Sequence, residues 1–256
     1  MTIPAGASPA PRSSRARWLA AAFAGLMCLG FLALGTWQVF RLQWKLALIE
    51  RVEQRVHAAP VAAPAAPAWP SVSKENDEYR HVTLQGHWLS GADALVQATT
   101  DLGSGFWLLS PFCTADGAIV YVNRGFVPPS HPKPVGGNNL ACAPARAGAS
   151  VTGLLRLPEP VGGFLRKNDP AADRWFSRDV PAIAAARRLG AVAPYFIDQE
   201  AAPSPAPAPV PGEPVGGLTV LSFTNNHLVY ALTWYGLAAM AAFGAWLLLR
   251  RRESAA

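Results

Sequence analysis

The sequence predicts a membrane protein of the α+β class, in which two transmembrane helices flank a β-rich extracytoplasmic domain. Three observations carry this expectation: two long uncharged apolar runs, arginines at the outer end of each, and short strand-like runs between them. The 256 residues are 51% hydrophobic and only 15% charged, too apolar for a soluble domain unless the excess is gathered into membrane segments. Residues 18–40 and 228–249 gather it. Neither run carries a charged side chain, and each is long enough to cross roughly 30 Å of hydrocarbon as a helix. A buried core helix is the alternative for such a run, and two uncharged spans ending in basic residues argue against it.

The placement of charge orients the chain. Arg12, Arg15 and Arg17 precede the first span without an acid, and Arg250, Arg251 and Arg252 follow the second against Glu253. These tails hold +3 and +2 of the +6 net charge, so no basic nucleic-acid surface is implied and no nucleic-acid partner is expected. Arginine beside both outer ends places tails 1–17 and 250–256 in the cytoplasm and residues 41–227 across the membrane. The first span runs on into Trp37, Arg41, Trp44 and Lys45 without a small-residue cleavage site, which reads as a retained anchor rather than a signal peptide. The basic segment before it is short for a mitochondrial presequence, so a multi-pass protein of the bacterial inner (plasma) membrane is favoured over a mitochondrial one.

Beyond the first span, Leu42, Leu46, Ile49, Val52 and Val56 keep helical spacing among charged residues, so the helix extends past the membrane. The proline- and alanine-rich tract 58–70 ends it and reads as a semi-extended linker. In Tyr79 to Leu89, Val82, Leu84 and Trp88 alternate with polar residues, the pattern of a half-buried strand. Further short apolar runs predict strands at residues 106–112, 118–123, 151–157, 195–197 and 218–223. One helix interrupts them, capped by Asp179, with Pro181 in its first turn and Gly190 as its stop. A second proline-alanine tract, 201–214, reads as a surface insertion.

Cys113 and Cys142 lie in the exported segment and Cys28 in the first span. An even pair in an oxidising compartment is compatible with a disulfide, which the spacing alone does not decide. No ligand pattern for copper or zinc such as C-x-x-C occurs. Nor is there a G-x-S-x-G elbow, a P-loop, an H-E-x-x-H or a G-x-G-x-x-G following a strand, and an enzyme is not expected.

Four stretches stand out. The first is G-T-W-Q-V-F-R-L-Q-W-K at 35–45, where tryptophan and basic residues suit the headgroup level. The second is N-R-G-F-V-P at 123–128. The third is N-D-P at 168–170 followed by W-F-S-R-D at 175–179. The fourth, N-N-H-L-V-Y-A-L-T-W at 225–234, places His227 at the entry of the second span with Tyr230 and Trp234 three and seven residues on. Two roles are open for His227 from this spacing: an interfacial hydrogen-bonding group in an aromatic belt, or a ligand to haem iron beside rings that pack on a macrocycle.

In this order the stretches resemble the surfeit locus protein 1 family of cytochrome c oxidase assembly factors, over nearly the whole chain. The two proline-alanine tracts depart from the family in length or composition. The resemblance implies a non-enzymatic factor acting in maturation of oxidase subunit I, with bacterial members associated with delivery or retention of haem a. It implies His227 as iron ligand; from residue chemistry, Trp37, Tyr230 and Trp234 are then expected to line the haem, and Arg41 and Lys45, cations near the interface, to meet its propionates. Asn123, Arg124, Asn168, Asp169, Trp175, Phe176 and Arg178 are the expected partner-binding residues. The expected partners are subunit I, the haem a biosynthesis or insertion machinery, and membrane lipid. Two rivals are a scaffold that never touches haem and an anchored exported hydrolase.

Overall fold

The computed structural model describes residues 14–134, 141–142, 148–160, 166–201, 213–219 and 225–250. They belong to two compact units, Met1–Arg51 with Ser222–Ala256, and Val52–Leu221.

The first unit is a pair of helices. Helix α1 spans Ser14–Val56, so the apolar run and the amphipathic continuation form one uninterrupted helix, as expected; only its part up to Arg51 belongs to this unit. Helix α4 spans His227–Arg250, and both helices are long and apolar enough to cross a membrane. Leu19, Phe23, Leu26, Leu29, Leu232 and Met240 each expose well over half of their surface, and a helix apolar on every side needs an apolar surrounding. Small residues let the pair approach: Ala231 and Ala238 are buried, and a Cβ built on Gly35 would lie 2.8 Å from the Tyr235 ring. This is the small-residue packing of membrane helices, where close backbone approach and interhelical hydrogen bonds hold the helices together.

The second unit is a mixed seven-stranded sheet with the order β1-β2-β6-β7-β5-β4-β3 and an additional β2–β4 pairing. The strands are β1 Val61–Ala62, β2 His81–Trp88, β3 Ala94–Thr100, β4 Gly103–Thr114, β5 Ile119–Val127, β6 Ala149–Arg156 and β7 Val192–Gln199. Because β2 pairs with β6 along His81–Gly86 and with β4 along Gly86–Trp88, five strands close into a barrel-like ring, which removes their open edges. Gly86 stands at the closure. A Cβ there would come within 2.0 Å of the Cys113 carbonyl oxygen, so only glycine lets the two strands meet.

Both faces of the sheet are apolar. Val82, Phe112, Val122, Leu155, Tyr195 and Ile197 fill one cluster. Residues of opposite parity, among them Leu109, Tyr121 and Phe196, join Trp175 and Ile183 in a second. The second cluster lies beneath helix α3, Val180–Ala186, whose cap Asp179 accepts from the Ala182 amide as the sequence predicted. The helix stops earlier than Gly190, because Arg188 turns to a positive φ of 54° and Arg187 is drawn away. The Arg187 guanidinium donates to the Asp93 carbonyl and to the Asp173 carboxylate at 2.8 Å each.

Other expectations are corrected. The 58–70 tract is no linker: β1 pairs in parallel with Val82 and Thr83, and Ala66–Ser71 forms a 3₁₀ turn. Its Pro64 carbonyl accepts hydrogen bonds from Trp69 Nε1 at 3.1 Å and from the Tyr195 hydroxyl at 2.6 Å. Prolines without an N–H suit this outermost position on a sheet, and the alanines let the backbone lie close. Strand β3 was not expected at all. Of the strand expected at 218–223, residues 220–223 lie outside the described residues, and within 213–219 only Val215 makes a bridge, to Phe126. Most of the 201–214 tract also lies outside them. Cys113 on β4 is disulfide-bonded to Cys142, with Cα atoms 5.4 Å apart, which closes the question the spacing left open.

Candidate functional site

Two arrangements of polar groups are built from the stretches singled out in the sequence. The first lies on the helix pair. Asn225 caps α4 by accepting from the His227 amide at 3.4 Å. One turn inside an apolar helix pair, Gln38 is only 9% exposed, and its side-chain oxygen lies 2.8 Å from Nδ1 of the half-buried His227. Further along, the Thr36 and Tyr235 hydroxyls are 3.2 Å apart, and the Trp234 ring stacks on Phe31 with centroids 5.7 Å apart. The inward residues of α1, Phe31, Gly35 and Gln38, follow helical spacing.

This geometry divides the predicted haem face. His227 and Trp234, seven residues apart, share the inward face of α4. Tyr230, about 60° around the helix from His227 at 100° per residue, points outward and is 54% exposed. Trp37, next to Gln38, is likewise exposed. The Arg41 guanidinium sits over the Trp44 ring, 4.7 Å from its centroid, and Lys45 is half-buried. Among the described residues no cluster of three His, Cys, Asp or Glu side chains could hold a metal ion.

The second arrangement centres on Asp198 of β7, which is 3% exposed. Its Oδ1 accepts from Asn123 Nδ2 at 2.8 Å and from Arg178 Nη1 at 3.1 Å. Its Oδ2 accepts from Arg156 Nη1 at 3.0 Å and from the Thr219 hydroxyl at 3.2 Å. Arg156 Nε also reaches Glu78 at 2.9 Å, and Arg178 pairs with Glu159. Both guanidiniums lie over aromatic rings, Arg156 over Tyr79 and Arg178 over Phe196. Burial works against the Arg156 charge, and Asp198 and Glu78 more than offset it, holding the guanidinium above its ordinary pKa. Partial burial likewise opposes the Glu159 charge, yet the Arg178 hydrogen bond and the charges of Arg178 and Arg156 hold that carboxyl below its ordinary value. The cluster borders a cavity of about 190 Å³ lined also by Trp107, Gly125 and Leu218.

The family model described as the SURF1 family matches residues 25–239, from the middle of α1 to the middle of α4. Surfeit locus protein 1 of Mus musculus is 34% identical over 226 residues, covering 82% of this chain and 69% of that protein. Surfeit locus protein 1 of Homo sapiens is 34% identical over 229 residues, 82% of this chain and 71% of its own. The SURF1-like protein of Monosiga brevicollis is 32% identical over 231 residues, covering 86% and 83%. The chain belongs to the SURF1 family. The stretch matched by the SURF1 model contains Gln38, His227 and every member of the Asp198 cluster.

Within this SURF1-family chain the expected partner-binding residues part into two groups. Asn123 is buried in the Asp198 cluster, and Arg178 is held there by two carboxylates. Trp175 is 2% exposed, its Nε1 donating to Asp173 at 2.7 Å. Asn168 is occupied with the turn, its Oδ1 accepting from the Phe176 amide at 2.8 Å and its Nδ2 donating to the Ser177 hydroxyl at 3.0 Å. All four are engaged in contacts within the domain, Asn123 and Trp175 buried and Asn168 and Arg178 half-buried. Arg124 over Trp88, Phe176 beneath Arg166, and Asp169 paired with Arg174 at 2.7 Å remain at the surface. Sequence reasoning missed Gln38, Asp198 and Arg156. Gln38 stood inside a quoted motif, and a polar residue on the inward face of an apolar helix was the available signal.

Proposed function

We propose that this protein is a membrane-embedded assembly factor for haem-copper cytochrome c oxidase that holds haem a on its helix pair while subunit I matures. The observation that carries this reading is the His227–Gln38 contact at the start of α4, an imidazole held through one ring nitrogen on a half-buried face between apolar helices. The donor set suits the group: a neutral imidazole ligates iron, and flat aromatic rings accept a macrocycle. His227 would be the ligand, with Trp234 the ring on its own face of α4, and Arg41 and Lys45 the cations for the propionates, while the outward-facing Trp37 and Tyr230 lie off that face. Haem a supplies the redox centre of the recipient oxidase, so the factor itself has no turnover to perform. In this reading α1 and α4 span the bacterial inner membrane with both termini cytoplasmic, and Val52–Leu221 is extracytoplasmic, which agrees with the positive-inside arginines and with a disulfide that needs an oxidising compartment. Its partners are subunit I and the machinery that makes or inserts haem a.

The test is the absorption spectrum of the full chain purified gently from cells that make haem a. The expected result is a haem spectrum in the wild type that is much reduced in His227→Ala at normal yield. A colourless wild-type protein that still brings down subunit I would leave a scaffold without haem as the better account.

A further inference from the structure

We infer that Gln38 is a positioning residue that sets the tautomer of His227. Neutral imidazole carries its proton on either ring nitrogen, and the hydrogen bond made by one nitrogen decides what the other can do. An amide oxygen only accepts. With Gln38 Oε1 2.8 Å from Nδ1, the Nδ1–H donates to it and the lone pair is left on Nε2. The surroundings make this contact more than packing. Gln38 is 9% exposed in a helix pair whose inward residues include Phe31, Gly35, Trp234 and Ala231, and a buried amide is costly unless hydrogen-bonded. The Thr36–Tyr235 contact already ties the same two helices, so a tie alone does not require the amide. An acceptor behind a metal-binding histidine fixes ring orientation and raises the basicity of the ligating nitrogen. The inference rests on the haem reading for its consequence, while the tautomer itself is a property of the protein without haem.

The experiment uses the full chain in detergent, labelled with ¹³C and ¹⁵N at histidine, with the His227 resonances assigned through His227→Ala. In the haem-free wild type the ring shifts should report a proton on Nδ1. In Gln38→Met, of nearly equal size, that preference should disappear, and titration with haem a should give about 10–100-fold weaker binding. Gln38→Glu, which restores an acceptor, should return the Nδ1 proton and binding, with a more negative reduction potential of the bound iron. Thr36→Val, which cuts only the other tie, should leave the tautomer as in wild type. A haem-free wild type protonated on Nε2, or a Gln38→Met protein with unchanged tautomer and haem affinity, would overturn the inference. Undiminished haem a binding by His227→Ala would instead overturn the ligand role of His227, and a wild type that binds no haem a would overturn the haem reading; both are recognised because the tautomer would still respond to Gln38.

Discussion

Replacing Asp198 with alanine is expected to cost the sheet domain about 3–5 kcal/mol, because it leaves the arginines Arg156 and Arg178 buried without the carboxylate between them. Each guanidinium side chain is only 13% exposed, so water from the bordering cavity replaces Asp198 only in part. Thermal unfolding of the purified chain and its abundance in cells measure the loss. Asp198→Asn should fall between the two, since the amide keeps the shape and some acceptors while removing the charge. The cluster also gives the stability a pH dependence. Glu159 has a lowered pKa in the folded chain, so its contribution is present above the ordinary glutamate value of about 4.3 and is lost as pH falls through the lower folded value. With 42% of its side chain exposed, that contribution is small beside the loss of Asp198. Equal melting temperatures for Asp198→Ala and wild type would show the cluster to be dispensable to the fold.

Trp175→Ala and Phe176→Ala are expected to behave as different kinds of lesion although the residues are neighbours. Trp175 lies in the cluster under α3 with Val96, Tyr121 and Ile183, and its backbone carbonyl accepts from the Gln97 amide at 2.8 Å. Truncating such a ring costs about 3–5 kcal/mol, so the protein should be scarce in cells and oxidase should fall in proportion. Phe176 is half-buried, one face under the Arg166 guanidinium 5.5 Å away, and its truncation should leave abundance near normal. If oxidase assembly nonetheless falls in Phe176→Ala, the exposed part of Phe176 is where a partner binds. Normal abundance of Trp175→Ala would contradict the burial on which this distinction depends.

The sequence was most legible where one period ran long enough to be read. The uninterrupted apolar and amphipathic pattern of α1, the α4 run, and the alternation in β2 were all recoverable, and Asp179 announced α3 by its capping chemistry. Strand β3 was hidden because its buried positions include Ala94 and Ala98, whose small side chains barely register as an apolar stripe. β1 was hidden for a different reason: two residues of a proline-alanine tract carry no period, and only pairing with β2 makes them a strand. The site followed the same division. His227 could be singled out because a histidine at the start of a long apolar run is locally unusual. Asp198 could not, because its significance comes from Asn123, Arg156, Arg178 and Thr219, which lie 20 to 75 positions away.

The place of β7 in the ring governs when this domain can fold. It is the last strand of the sheet to be synthesised, yet it lies between β6, to which it runs antiparallel, and β5, to which it runs parallel. Until it emerges, two inner strands have bare edges and two arginines await their shared anion, so the earlier strands cannot condense into a closed core one by one. Pairings between segments so distant in the chain require loop closure before they return any contact energy, which makes for slow folding. A nascent chain that has made β6 but not yet β7 presents those bare edges to its neighbours, the hazard that chaperones exist to cover. A sheet closed by so late a strand thus leaves this chain in need of escort during its own synthesis.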